Sequence, residues 1–255
     1  MRAQIYQFLI GSDNFGVLLH DPQSGATASI DAGEAAPIEA ALEKTGWRLT
    51  DILVTHHHGD HIEGLAALRH KFGPRVVGAA ADQHRIEGID LMVKEGDSVM
   101  VGGLRVEVIE TPGHTVGHVA YHLPHDKVLF AGDTLFAMGC GRLFEGSPAD
   151  MFQSLKKLAS LPAETALYCG HEYTLSNGRF ALRVDPANDA LKKRMADVER
   201  LRADHQFTLP STLALEHATN PFLRADDPAI AEALGLQGQS ALAVFTALRE
   251  LKNKG

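Results

Sequence analysis

Cysteine is scarce in this chain of 255 residues: Cys140 and Cys169 are the two it has. Two thiols cannot build a disulfide scaffold, and the expectation is a pair of reduced thiols in a cytosolic protein. No apolar stretch approaches the ~20 residues that cross a bilayer. The segment from Met1 to Ile10 has one Arg and a short apolar run, with neither the length of a signal h-region nor a small-residue cleavage site. A cytoplasmic protein with no membrane partner is therefore expected. There is no positive excess either. Lys and Arg number 24 against 32 Asp and Glu, a net charge of -8, which argues against nucleic acid as a partner. A local cluster of Arg and Lys could still receive an anionic substrate. Internal repeats and low-complexity segments are also missing. With 45% hydrophobic and 22% charged residues, the composition is that of a globular protein with a large core.

What the chain does have is 14 His, several within six positions of one another. Residues 4–10 and 15–20 read as strands separated by a Gly11-Ser-Asp-Asn14 turn, and 27–31 as a third ending at Asp31. A helix over 35–46 closes at Gly46. The short run 51–54 is a buried strand that ends in Thr55-His-His-His-Gly-Asp-His61. One helical pattern follows, with Ile62, Leu65, Leu68 and Phe72 on one side and Gly73-Pro74 as its stop. Residues 75–79 are again strand-like, and 99–110 alternate as a hairpin around Gly102-Gly103. Strands over 117–123 and 127–131 precede Gly132-Asp133. A helix near 148–160 leads to a strand at 165–169 and then Gly170-His171. From Tyr173 onward the patterns are helical, at about 173–184, 188–204 and 240–252. These elements predict an α/β catalytic domain over 1–172 and a helical domain over 173–255.

Four metal-ligand candidates lie in His56-x-His58-x-Asp60-His61. Alternate side chains of an extended segment point the same way, so His56 and His58 can converge on one cation. Asp60 and His61 follow where the chain turns into a helix and can address a second. His114, Asp133 and His171 each follow a strand-like run at a turn marked by Gly113, Gly132 or Gly170. A carboxylate such as Asp133 can bridge two cations that hold a water between them. Burying so many titratable groups without a cation would be costly. His57 lies between two ligands and is expected to point away. His118 and His122, like His20, His70, His84 and His125, read as structural. Imidazole and carboxylate suit zinc, iron or manganese, and no thiolate is needed.

The residues resemble the metallo-β-lactamase superfamily, whose mark is His-x-His-x-Asp-His, and within it the glyoxalase II or hydroxyacylglutathione hydrolase branch. The matching stretches are Thr55–His61, Thr111–His118, Phe130–Phe136, Gly139–Gly146, Gly170–Asn177, Asn220–Arg224 and the segment from Arg249 to Lys252. The resemblance implies an αββα sandwich with a helical C-terminal domain. It implies two divalent metal ions, zinc first with iron or manganese as alternatives. His56, His58 and His114 would hold one, Asp60, His61 and His171 the other, with Asp133 bridging. It implies that Arg142, Phe144, Tyr173, Asn177, Arg249 and Lys252 contact the glutathione moiety. Arg142 and Phe144 stand where some members have Lys and Tyr, so the charge is kept and one hydroxyl is lost.

The reaction so implied is hydrolysis of S-D-lactoylglutathione, a glutathione thioester, to glutathione and D-lactate, the detoxification of methylglyoxal. A metal-bridged hydroxide would attack the thioester carbonyl, with Asp60 and Asp133 holding the metals. A thiolate leaving group, with an unperturbed pKa of about 8.5, needs no strong general acid. A monomer is expected. Four competing readings make different demands. A single-iron persulfide dioxygenase would not need His171 or the helical tail. A nuclease of the same fold would carry a basic patch. A secreted β-lactamase would carry a signal peptide. A non-catalytic metal-binding module would not need the full ligand set.

Overall fold

In the computed structural model, which describes residues 3–254, contacts divide the chain into two compact units. One comprises Met1–Glu110 with Thr115–Gly132, the other Thr111–His114 with Asp133–Gly255.

The first unit is ruled by buried β-branched and Leu-rich runs. Strands β1 (Gln4–Ile10) and β2 (Asn14–His20) form an antiparallel hairpin whose turn carries Gly11 at φ +63, in the left-handed region that glycine enters without cost. β2 is buried along its whole length. It pairs antiparallel with β3 (Ala26–Ile30). Helix α1 (Ala35–Thr45) then stops at Gly46, left-handed at φ 71, as its sequence predicts. β4 (Arg48–Leu53) lies parallel to β3. It is followed by α2 (Gly59–Ile62), α3 (Leu65–Phe72), β5 (Arg75–Ala79) and β6 (Leu91–Val93). The sheet order is β1-β2-β3-β4-β5-β6, with β3 to β6 parallel. Ile38, Leu42, Leu65 and Leu68 of α1 and α3 pack on Leu18, Ile52, Val54 and Val76. The same unit carries an antiparallel run of β7 (Ser98–Val101), β8 (Leu104–Glu110), β9 (Val119–Leu123) and β10 (Val128–Phe130). Tyr121 of β9 is fully buried and donates its hydroxyl to Val54 O at 2.8 Å. Val119 N donates to Thr55 O at 2.9 Å. These two bonds tie the antiparallel run to the end of β4, where the His-rich segment begins.

The helical pattern after His61 is broken into α2 and α3. Gly64 N donates to Ala32 O at 2.7 Å, and a Cβ on Gly64 would stand 2.6 Å from Ala35 N. The backbone approach that bends the chain there leaves no room for a continuous helix. β6 shows no alternation to announce it, since Leu91 and Met92 are both exposed.

The second unit opens with a small hairpin, β11 (Leu135–Phe136) and β12 (Gly139–Cys140). α4 (Pro148–Ala159) starts at a reciprocal cap between Ser147 and Asp150, with Pro148 in its first turn. β13 (Ala166–Tyr168) leads to α5 (Thr174–Val184) and α6 (Asp189–Ala203), the latter capped by Asn188. β14 (Ser211–Thr212) pairs with β13. α7 (Leu213–Thr219), α8 (Pro228–Ala233) and α9 (Ala241–Asn253) complete the unit. Met138, Ala181, Leu191, Met195 and Val198 form one of its apolar clusters. The hairpin, α7 and α8 are additions to the sequence reading, each too short to show a period. Among the described residues, no helix is long and apolar enough to cross a membrane. Both cysteines are buried free thiols, and burial pushes each thiol's pKa up.

Candidate metal centre

In the first unit, β4 delivers four donor side chains at its C-terminal end, the end where open α/β sheets place their sites. His56 and His61 are buried, His58 is half-buried and Asp60 is exposed. The hydrogen bonds around them fix which ring nitrogen carries the proton. Asp31 Oδ2 accepts from His61 Nδ1 at 2.8 Å and from the Thr55 hydroxyl at 2.9 Å. Asp31 Oδ1 accepts from Thr55 N at 2.6 Å. The Thr55 hydrogen is thereby committed, so Thr55 Oγ1 can only accept from His56 Nδ1, 3.0 Å away. In their neutral forms His56 and His61 carry the proton on Nδ1 and a lone pair on Nε2, the arrangement of a metal-ligating histidine with a hydrogen-bonded outer nitrogen. His56 Nε2 stands 3.2 Å from His58 Nδ1, so two ring nitrogens converge as their alternate spacing predicts. Asp60 is held by its backbone: Asn14 Nδ2 donates to Asp60 O at 2.6 Å, and a Cβ on Gly33 would lie 2.1 Å from that oxygen. Glycine at 33 is what lets the chain pass.

His57 points elsewhere, with Nδ1 3.4 Å from Asp82 Oδ2. Asp82 is fully buried and is also paired with Arg85. His118, read as structural, stacks on His56 with ring centroids 4.9 Å apart. His122 is buried near Glu107, and burial lowers its pKa.

In the second unit, His114, Asp133 and His171 are all buried. His114 Nε2 and His171 Nε2 lie 3.4 and 3.5 Å from the same oxygen, Asp133 Oδ2. His114 Nδ1 donates to Arg142 O at 2.7 Å. A carbonyl can only accept, so in the neutral ring Nε2 bears the lone pair here too. A Cβ on Gly141 would stand 1.9 Å from Asp133 O, which accounts for the glycine beside this donor set.

Four of the six residues expected at the glutathione moiety present their side chains at or near the surface. Phe144 is 60% exposed, with the Arg142 guanidinium 6.0 Å over its ring and the His114 ring 5.2 Å away, edge-on. Tyr173 is 38% exposed and stacks on His171, centroids 4.8 Å apart and planes 3° from parallel. Lys252 lies 5.2 Å over Phe180 and donates to Ser176 O at 3.2 Å. Burial, reinforced by Arg249 and Arg183, lowers its pKa to about 8. Asn177 and Arg249 are buried and grip backbone. Asn177 donates to Ala137 O at 3.1 Å, and Arg249 to Cys140 O at 2.8 Å.

Sequence reasoning passed over Asp31 and Asn14, which hold donors in place, and Asp82, which holds His57 away from them. Asp31 had a signal: a carboxylate at the end of the strand next to the one that ends in the His-rich segment. Its backbone is left-handed at φ 60, a conformation that Asp tolerates better than most residues.

These donor sets place the chain among known proteins. A family described as "Metallo-beta-lactamase superfamily" matches residues 8–171, and one described as "Hydroxyacylglutathione hydrolase C-terminus" matches 172–255. A hydroxyacylglutathione hydrolase of Brucella anthropi is 59% identical over 252 residues, 99% of this chain and 97% of that protein. Among solved structures, ETHE1 from Myxococcus xanthus superposes with a TM-score of 0.70 at 25% identity, over 97% of this chain and 90% of that one. TTHA1623, solved in a di-iron-bound form, gives 0.64 at 26% identity, over 86% of this chain and 100% of that one.

Proposed function

The chain belongs to the hydroxyacylglutathione hydrolases of the metallo-β-lactamase superfamily, and we propose that it hydrolyses S-D-lactoylglutathione to glutathione and D-lactate at two divalent cations. The family's fold, mixed sheets followed by a helical C-terminal region, and its hydrolase chemistry are this chain's own.

The observation that carries the reading is the hydrogen bonding of the ligand rings. His56, His61 and His114 each set Nδ1 against an outer acceptor. In the neutral rings that leaves Nε2 lone pairs for a cation, and with Asp60 and Asp133 they make a donor set that suits borderline divalent cations. His56, His58 and His114 would hold one cation, Asp60, His61 and His171 the second, and Asp133 both. Zinc is the first choice, iron or manganese the alternatives. What such cations supply when bound is a water acidified toward neutrality and a Lewis acid for a carbonyl oxygen.

The protein's own part is orientation. Asp31 and Thr55 fix His61 and His56, and the Arg142 carbonyl fixes His114. Arg142, Phe144, Tyr173 and Lys252 receive the glutathione moiety, whose two carboxylates call for cations on an otherwise acidic protein. Asn177 and Arg249 serve that pocket by holding the backbone at Ala137 and Cys140. By function, residues 1–172 would be the catalytic domain and 173–255 the substrate-binding one, a division that follows the two family matches and not the compact units. The leaving thiolate departs without a dedicated acid. We place the protein in the cytoplasm as a monomer with no nucleic-acid or membrane partner.

The purified protein is expected to consume the thioester absorbance of S-D-lactoylglutathione and to lose that activity to a chelator. No turnover in protein shown to hold two metals would sink the reading, and oxygen uptake with glutathione persulfide would then favour the dioxygenase.

Lys252 adds a pH dependence. Its pKa is lowered to about 8, so its charge is present below that pH and lost above it. KM for the glutathione thioester is expected to rise about tenfold from about pH 7 to about pH 9 as a charge-assisted contact disappears. Lys252→Arg, which stays charged, flattens the profile. An unchanged slope in that variant would remove Lys252 from the substrate site.

A further inference from the structure

Behind the β11–β12 hairpin lies a buried polar cluster that no ligand or substrate role accounts for. Glu216 and Asn220 are fully buried and Arg194 is 9% exposed. Glu216 Oε1 accepts from Arg194 Nη2 at 2.6 Å. Its Oε2 accepts from Met138 N at 2.8 Å and from Asn220 Nδ2 at 3.1 Å. Asn220 Nδ2 also reaches Phe136 O at 3.1 Å and Gly139 O at 3.0 Å, while its Oδ1 accepts from Phe222 N at 3.0 Å. Two side chains thus claim three backbone groups of one tight turn.

That turn needs holding. Met138 has φ 54, a left-handed conformation unusual for a residue with a long side chain. The side chain is anchored among Ala181, Leu191 and Met195, so glycine could not replace it without losing the anchor. The chain leaves the turn at Cys140 and Gly141, where Gly141 N donates to Thr134 O at 3.1 Å. It then runs directly into Arg142 and Phe144. These two meet His114 twice, through His114 Nδ1 to Arg142 O at 2.7 Å and Phe144 N to His114 O at 3.2 Å. Displacement of the turn is therefore passed to the segment that carries the Arg142 and Phe144 side chains.

We propose that Asn220, seated on Glu216, is a positioning residue for the substrate, fixing the Phe136–Gly139 turn and through it the Arg142–Phe144 segment that receives the glutathione moiety. This rests on the function proposed above. A polar cluster buried only for stability would be matched by apolar packing of the same volume. Its donors and acceptors are instead distributed over the turn's own backbone, which specifies geometry.

Asn220→Ala removes the donors with no change of charge. With metal-loaded protein, KM for S-D-lactoylglutathione is expected to rise about tenfold with kcat within about threefold, the loss of one well-made hydrogen-bonding unit. Metal content stays at the wild-type value. The affinity for glutathione alone, read by calorimetry, falls by a similar factor, and kcat/KM for a simple thioester lacking glutathione stays within about twofold. Ile230→Ala, a cavity in α8 outside the cluster that anchors Met138, lowers the melting temperature but leaves KM unchanged. An equal KM rise in Ile230→Ala, no rise in Asn220→Ala, or equal losses on both thioesters would overturn the proposal. If Asn220→Ala does not fold, Asn220→Ser is read in the same way. Wild-type protein without thioesterase activity defeats the functional reading alone, because the glutathione affinity of the variants still reports on the turn.

Discussion

Asp133→Asn is expected to lower kcat/KM for S-D-lactoylglutathione by about a thousandfold or more while leaving the metal-free protein as stable as wild type, or more so. The two outcomes follow from one local arrangement. Asp133 Oδ2 has His114 Nε2 at 3.4 Å and His171 Nε2 at 3.5 Å, all on buried residues. In neutral His114, Nε2 carries the lone pair, because Nδ1 faces the Arg142 carbonyl. A carboxylate oxygen and a lone-pair nitrogen held this close away from water repel one another unless a proton or a cation lies between them. The native arrangement therefore favours cation binding over apo stability. An isosteric carboxamide reverses this, since its NH2 can donate to a ring nitrogen and its charge is gone. Elemental analysis is expected to show less than the wild-type metal content, beside an unchanged or raised apo melting temperature. A variant that retained both cations and activity within about tenfold of wild type would remove Asp133 from the centre. One that lost apo stability together with activity would make it a structural carboxylate.

How much of this was legible in the sequence depended on the range of the interaction. The His56 to His61 spacing is local, and a two-residue alternation is enough to bring His56 Nε2 and His58 Nδ1 within 3.2 Å. The long elements announced themselves by period and punctuation, as α1 did with Gly46. His114, Asp133 and His171 had weaker signals, each a donor after a strand and beside a glycine. The structure supplies the reason for one of those glycines at Gly132, where φ is +49 and a Cβ would stand 2.6 Å from His118 Nε2. What could not be read was long-range. Asp31 meets His61 across 30 residues and Glu216 meets Met138 across 78, and no spacing rule connects such pairs. The break between α2 and α3 belongs to the same class, because it is imposed by the backbone at Ala32 and Ala35. The buried course of Asn177 and Arg249 does too, since their periodicity gives the helix face but not what lies against it.

Glu216→Ala is expected to destabilise the protein by about 3–5 kcal/mol, the cost of leaving one member of a buried ion pair without its partner. Glu216 is fully buried, and Arg194, 9% exposed, is left with Thr219 and Ser211 hydroxyls but no counter-charge. Met138 N loses its acceptor at the same time, inside a left-handed turn. The exposed pair Lys192–Asp189 is the contrast. Its atoms are as close, 2.9 Å, but its side chains are 51% and 92% exposed, so Lys192→Ala is expected to change stability by less than about 0.5 kcal/mol. Urea denaturation of both variants separates burial from mere proximity. The double variant Arg194→Met with Glu216→Leu removes both charges together. It is expected to recover part of the loss and no more, because Met138 N and the Asn220 carboxamide remain without the acceptor that Glu216 provided. The cycle closed by Arg194→Met alone isolates the coupling between the two charges, expected at about 2–3 kcal/mol. A Glu216→Ala protein within about 1 kcal/mol of wild type would mean that water enters the cluster and takes the place of the lost carboxylate.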